Sequence, residues 1–213
     1  MSGKTTYLLS SLIVAVGLAG ASADTALASR ANFDSSHSVF TKARGETRPP
    51  IGYVNFCARY PSECRTIAIR GSGKVHLTPA RWDLLMQVNS FVNRKIAPVT
   101  DQELYNRPEV WEYPTSAGDC EDYVLLKKRY LEGLGFPPET LLITVVLDEE
   151  GAGHAVLMVR TDSGDFILDN RRDGVLPWYR TGYRYLKRQS QRDPNLWVSL
   201  SPGRSRTKIF GRN

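Results

Sequence analysis

The residues in this chain that could do chemistry gather around one cysteine. Cys120 stands in Ser116-Ala-Gly-Asp-Cys-Glu-Asp-Tyr123, with Asp119, Glu121 and Asp122 beside it. A thiol attacks only as its thiolate, so its surroundings decide what it does. The position reads as the first turn of a helix, where free N–H groups and the positive end of the dipole favour an anion. Three carboxylates oppose that effect. A cation must offset them, or the thiol is sluggish. A thiol nucleophile also needs a base, and a third group to orient the base. Of the three histidines, His37 lies in a polar leader and His76 precedes a helix, whereas His154 opens a strand directly after a Gly-containing turn. A turn near Ser163 brings Asp169 back to within one or two positions of His154, close enough for cross-strand neighbours to touch. Each piece also has a plainer reading. A lone cysteine is often a small core residue, a lone histidine is often structural, and Asp169-Asn170 is a common turn pair. Asp119 could cap the helix while Glu121 and Asp122 favour its first turn. Spacing alone leaves both readings open.

The elements that would position these groups follow from periodicity. The Cys120 helix places Tyr123, Leu126, Tyr130 and Leu134 on one face, leaves Lys127, Lys128 and Arg129 exposed, and stops at Gly135 and Pro137-Pro138. An earlier helix starts at Thr78-Pro79, with Thr78 as N-cap. It carries Trp82, Leu85, Met86, Asn89, Val92 and Ile96 at helical spacing. Residues 98–117 read as a long irregular connection carrying Trp111 and Pro114, of the kind that contributes to a site. Strands are expected over 141–147, 154–160, 165–169 and 196–200, with a Trp- and Tyr-rich stretch over 174–190. Helices followed by an antiparallel meander make an α+β fold.

Residues 1–28 read as a secretory signal peptide: Lys4, an apolar run over 7–19, then two small-x-small sites at Ala21-Ser-Ala23 and Ala26-Leu-Ala28. A flexible leader over 29–50, a domain over 51–200 and a basic tail over 201–213 complete the organisation. The location expected of such a chain is the periplasm, and no later apolar run is long enough to span a bilayer. In an oxidising compartment accessible cysteines pair. Cys57 and Cys64 bracket a turn-like segment and are expected to form a disulfide, which leaves Cys120 as the odd thiol. The net charge of +6 is concentrated late in the chain. With no nucleic-acid motif and an export signal, nucleic acid is not an expected partner. A solvated basic face, or an anionic envelope partner, accounts for the charge.

Trp111 and Pro114, Gly118-Asp-Cys-Glu-Asp-Tyr123, Gly153-His-Ala-Val156 and Leu168-Asp-Asn170 occur in the order and spacing of a known family. Over roughly residues 80–200 the chain resembles the bacterial transglutaminase-like cysteine proteinases, among them the LapG-like periplasmic proteases. The resemblance implies a papain-like or transglutaminase-like core with the nucleophile helix packed on an antiparallel sheet. It implies Cys120 as nucleophile, His154 as general base and acid, and Asp169 as orienting carboxylate. It also implies Ca²⁺ held by Asp119 and Glu121, with Asp122 as a further ligand. As partners it implies an envelope protein such as a surface adhesin as substrate, and an inner-membrane regulatory receptor; a monomer is the default. The Cys57–Cys64 pair departs from the LapG pattern, which leaves the substrate open. Two other readings share these residues: acyl transfer from glutamine to an amine, and a non-enzymatic envelope-binding module.

Overall fold

The structure, a computed structural model, describes residues 38–66 and 71–201. The expected signal peptide, the leader up to His37 and the tail beyond Ser201 lie outside the described residues. In chain order the elements are β1 (Glu46–Thr47), α1 (Ile51–Arg59), α2 (Pro79–Lys95), β2 (Ala97–Pro98), α3 (Asp101–Tyr105), β3 (Ala117–Gly118), α4 (Cys120–Gly133), β4 (Leu141–Leu147), β5 (Gly153–Thr161), β6 (Gly164–Asp169), β7 (Arg172–Pro177), β8 (Arg184–Gln189) and β9 (Trp197–Ser199). Seven strands form one antiparallel sheet in the order β1-β9-β8-β4-β5-β6-β7, and β2 pairs with β3 in a short parallel ribbon. This is the expected α+β architecture.

Alternation along the strands divides the sheet into two faces. On β5, Ala155, Leu157 and Val159 join the core under α2 and α4, while Val156 and Met158 join a second cluster with Leu142, Val146, Ile167, Tyr183 and Tyr185. The helix α2 begins as its sequence demands: the Thr78 side chain accepts from Arg81 N–H at 3.2 Å, with Pro79 at the first helical position. Its buried side chains are Leu85, Val88, Asn89 and Val92.

Several expectations change. Lys127 is fully buried rather than exposed, and Leu134 is 48% exposed rather than packed. The helix α4 lies against both the sheet and α2, so its buried arc runs through Val124, Lys127 and Leu131. Lys127 is tolerated there because its Nζ donates to Asn89 Oδ1 of α2 at 2.7 Å, although burial pushes its ammonium down to about 7. The connection over 98–117 is not irregular throughout. It contains α3, closed by a reciprocal Thr100/Glu103 capping box. Within 29–50, residues 38–50 are held rather than loose: Thr41 N–H donates to buried Asp165 at 2.7 Å, and β1 pairs with β9. The aromatic stretch over 174–190 supplies β8, in the middle of the sheet.

The expected Cys57–Cys64 disulfide ties the end of the helix α1. The helix packs its Tyr53 edge-on to Trp111 and Trp197 at 5.6 and 5.4 Å between ring centres. Gly52 makes that approach possible, since a Cβ there would stand 2.3 Å from the Trp111 indole.

Candidate functional site

The site lies where the N-terminus of α4 meets the start of β5. The helix offers Cys120 at its first position, half-buried and unpaired. Behind it, the β4–β5 turn is built on Asp148, whose Oδ1 accepts from Glu150 N–H at 3.1 Å and Ala152 N–H at 2.8 Å, with Gly151 at φ +85°. That turn delivers His154 to the sheet end. Between β5 and β6 the register pairs Leu157 with Leu168. One residue further on, Asp169 lies opposite Val156 and diagonal to His154, on the same face. The structure thus brings Cys120, His154 and Asp169 together, while His76 sits elsewhere on the surface with Asp162.

The geometry assigns a direction to the imidazole. His154 Nε2 meets Asp169 Oδ1 at 2.9 Å, and Nδ1 has no hydrogen-bond partner among the described residues. The bonded nitrogen is therefore the donor to carboxylate, and the other nitrogen is left free for a proton in transit. Asp169 is saturated with donors: Arg171 N–H reaches Oδ1 at 3.0 Å and Tyr183 O–H reaches Oδ2 at 2.6 Å. Burial pushes the Asp169 carboxyl up, but the bonds from His154, Arg171 and Tyr183 outweigh it and hold the group at about 2. Two ion pairs, Arg171–Asp148 at 2.7 Å and Arg172–Glu149, fasten the turn after β6 to the turn before β5.

Cys120 and His154 line a cleft of about 330 Å³. Pro108, Glu109 and Trp111 line it together with Val145 and Lys187. Trp111 serves both core and cleft: it is 2% exposed, and its indole N–H donates to Glu109 at 2.8 Å. The thiol itself donates to Glu121 Oε2 at 3.1 Å, and Ala155 N–H donates to the sulfur at 3.4 Å. Burial pushes the Cys120 thiol well up, and the Glu121 charge pushes further; the Ala155 N–H opposes both.

Around the nucleophile the structure places the acidic residues in two overlapping groups. Asp119, Cys120 and Glu121 form one, and Asp101, Asp119 and Asp122 form the other, with one ligand atom from each residue within 4.8 Å of the rest of its group. Glu121 is turned to the thiol, whereas Asp119 and Asp122 converge on Asp101. Asp119 occupies the N-cap position of α4 but makes no capping bond with its side chain. Its Oδ2 accepts from Asp101 N–H at 3.3 Å, and Asp122 Oδ1 accepts from Glu112 N–H at 2.8 Å. One buried oxygen on each of the three, Asp101 Oδ1, Asp119 Oδ1 and Asp122 Oδ2, has no hydrogen-bond partner among the described residues. Gly118 lets Asp122 fold in, since a Cβ there would stand 2.5 Å from Asp122 Oδ2. Burial pushes Asp122 up to about 8 and Asp101 up to about 6, and the charge of Asp119 adds to both. Burial, followed by the charge of Asp119, pushes Glu121 up to about 9. Three neighbouring carboxylates, each with an unpaired buried oxygen, are a donor set for a hard cation.

The sequence reading had no place for Asp101 or Tyr183. Asp101 had a signal: Thr100-Asp-Gln-Glu103 has the spacing of a capping box, which predicts a short helix and puts Asp101 at its start. Tyr183 had none, because one tyrosine among several on a strand edge carries no mark of what it faces.

No curated protein sequence matches the chain significantly. Three solved structures of LapG from Legionella pneumophila are similar. The calcium-bound form shares 25% identity with a TM-score of 0.49 over 63% of this chain and 77% of that one. A second form shares 25% identity at 0.48, over 58% and 71%. An EGTA-treated form gives 25% and 0.48, over 58% and 69%. The sequence pattern described as bacterial transglutaminase-like cysteine proteinase BTLCP matches residues 43–205, most of the chain. The chain belongs to the bacterial transglutaminase-like cysteine proteinases.

Proposed function

We propose that the chain is an exported, calcium-dependent cysteine endopeptidase that cuts a protein of the cell envelope through an acyl-enzyme. The observation that carries the chemistry is the polarity of the imidazole: Nε2 is anchored to Asp169, Nδ1 is unbonded among the described residues, and the residue lines the cleft that holds Cys120. His154 takes the thiol proton, and the sulfur attacks the peptide carbonyl. As the C–N bond breaks, His154 passes that proton to the leaving amine. Water then enters, gives its proton to His154 and releases the acid, restoring the thiol. Backbone N–H groups at the start of α4, beside Cys120, would stabilise the oxyanion.

The residues fit calcium. Asp101, Asp119 and Asp122 offer three carboxylates with buried unpartnered oxygens, which suits an ion that takes several oxygen ligands. The set that includes Cys120 suits it less, since a thiol is a soft ligand and is needed for attack. Bound at the three aspartates, the ion supplies positive charge beside the nucleophile and lowers the cost of forming a thiolate. The Cys57–Cys64 disulfide supports an oxidising compartment, and with the expected signal peptide it supports export.

The test is to incubate the mature chain with envelope protein and a fluorescent primary amine, with calcium and then with a chelator. Chain cleavage that stops on chelation and in Cys120→Ala is the expected result. Amine incorporation without cleavage would replace the peptidase reading with acyl transfer.

A further inference from the structure

Asp169 and His154 share a third neighbour that the catalytic set above does not use. Tyr183 stands just before β8, after Gly182 at φ +80°. Its hydroxyl donates to Asp169 Oδ2 at 2.6 Å, the oxygen that His154 does not use. Its ring meets the His154 imidazole edge-on, with centres 5.6 Å apart and planes at 83°. One side chain therefore fixes the carboxylate and walls the imidazole that the carboxylate orients. Its ring is itself held by the Arg172 guanidinium at 5.3 Å. Asp169 can swing about its side-chain torsions unless both oxygens are tied. Arg171 N–H and His154 tie Oδ1, so Tyr183 is the donor that stops the other oxygen from rotating toward the ring.

We propose that Tyr183 is a positioning residue of this catalytic site, which acts through Asp169 to hold His154 in the orientation that presents Nδ1 to Cys120. The inference rests on the peptidase reading above. It implies that the hydroxyl matters, and that its effect passes entirely through the Asp169 carboxylate. Tyr185 is the natural comparison: its hydroxyl pairs with Thr181 at 3.1 Å and its side chain lies in the same cluster, and it has no bond to Asp169.

The experiment measures the second-order rate of Cys120 alkylation by iodoacetamide at pH 7, on calcium-supplied full-length mature protein, with Tyr183→Phe, Tyr185→Phe, Asp169→Asn and the Tyr183→Phe/Asp169→Asn double variant. Each variant is checked for a native circular-dichroism spectrum and a cooperative melt above the assay temperature. Tyr183→Phe is expected to slow alkylation about tenfold in the wild-type background and less than about twofold in the Asp169→Asn background, the non-additivity of two groups acting as one. Tyr185→Phe is expected to have no effect. In proton NMR, the low-field His154 Nε2–H signal should broaden or move upfield in Tyr183→Phe and stay in place in Tyr185→Phe. Equal slowing by Tyr183→Phe in both backgrounds, or an undisturbed His154 signal, overturns the inference and makes the tyrosine a packing residue. Slowing by Asp169→Asn with none by Tyr183→Phe overturns the inference but leaves the catalytic set standing. If Asp169→Asn also fails to slow the reaction, both readings fall.

Discussion

Two buried carboxylate sites flank the nucleophile, and they are opposites. At the sheet end, Asp169 receives three hydrogen bonds and is held down at about 2. At the helix end, Asp101 and Asp122 each have a buried oxygen with no donor and are pushed up to about 6 and about 8. Burial raises all of these groups, so burial does not separate them. What separates them is donors. The sheet end supplies a backbone N–H, a phenol and an imidazole to one acid, while the helix end gathers several acids around few N–H groups. The first arrangement is complete in the protein alone, and the second is the one that the proposed calcium would complete.

The largest effect expected from breaking this contrast is at the complete site. Asp169→Asn keeps the shape but removes the charge that orients His154, and should slow Cys120 alkylation or substrate turnover by about 10²–10⁴-fold, the range for a positioned acid–base group. At the incomplete site, calcium at 100 times its dissociation constant should stabilise the fold by about 2.7 kcal/mol, read as a rise in melting temperature. Asp101→Asn should remove most of that rise. An unchanged rise in Asp101→Asn would place the ion elsewhere.

The same contrast fixes the sign of the pH response. Asp101 and Asp122 have folded values above the unfolded value of about 3.9, so their contribution is fully present below that pH and is lost as pH rises through about 6 and about 8. With a chelator, stability should therefore fall between pH 5 and 8, at up to about 1.4 kcal/mol per pH unit per group, and calcium should flatten the slope. Asp169 acts in the other direction: its contribution is present above about 3.9 and is lost as pH falls through about 2. Denaturant melts across pH, with and without calcium, measure both limbs. Identical slopes in the two conditions would erase the difference between the sites.

Smaller changes sharpen the comparison. Glu121→Gln removes a carboxylate that, once ionised above about pH 9, pushes the Cys120 thiol up, so in chelator at that pH it should speed alkylation, by about tenfold for each unit the thiol falls. Arg171→Ala removes the exposed ion pair to Asp148 but leaves the Arg171 N–H on Asp169. It should cost less than about 1 kcal/mol in a thermal melt and leave alkylation within about twofold.

Local pattern carried much of the scaffold. Thr78-Pro79 starts a helix and Leu141–Leu147 makes a strand because capping and the preference of β-branched residues for extended backbone act within a few residues. Lys127 was misplaced because periodicity reports an apolar stripe, and a lysine whose charge is met by Asn89 of another helix has no such signature. Residues 38–50 and β8 were missed for a related reason: their order comes from strand partners distant in sequence.

By itself the sequence determined the chemistry on offer: a thiol at a helix start, acids on either side of it, a histidine after a turn, an aspartate one strand later, and two cysteines near enough to pair. These depend on residue type and short spacing, which the chain carries locally. Only the tertiary structure decided which acid faces which partner. Asp101 joins Asp119 and Asp122 across 18 and 21 residues of chain, Glu121 turns to the thiol, and Tyr183 closes on Asp169 from the segment before β8. The division is physical. A residue's intrinsic reactivity is fixed when it is placed in the chain, but a carboxylate's charge and orientation depend on donors that only folding brings to it.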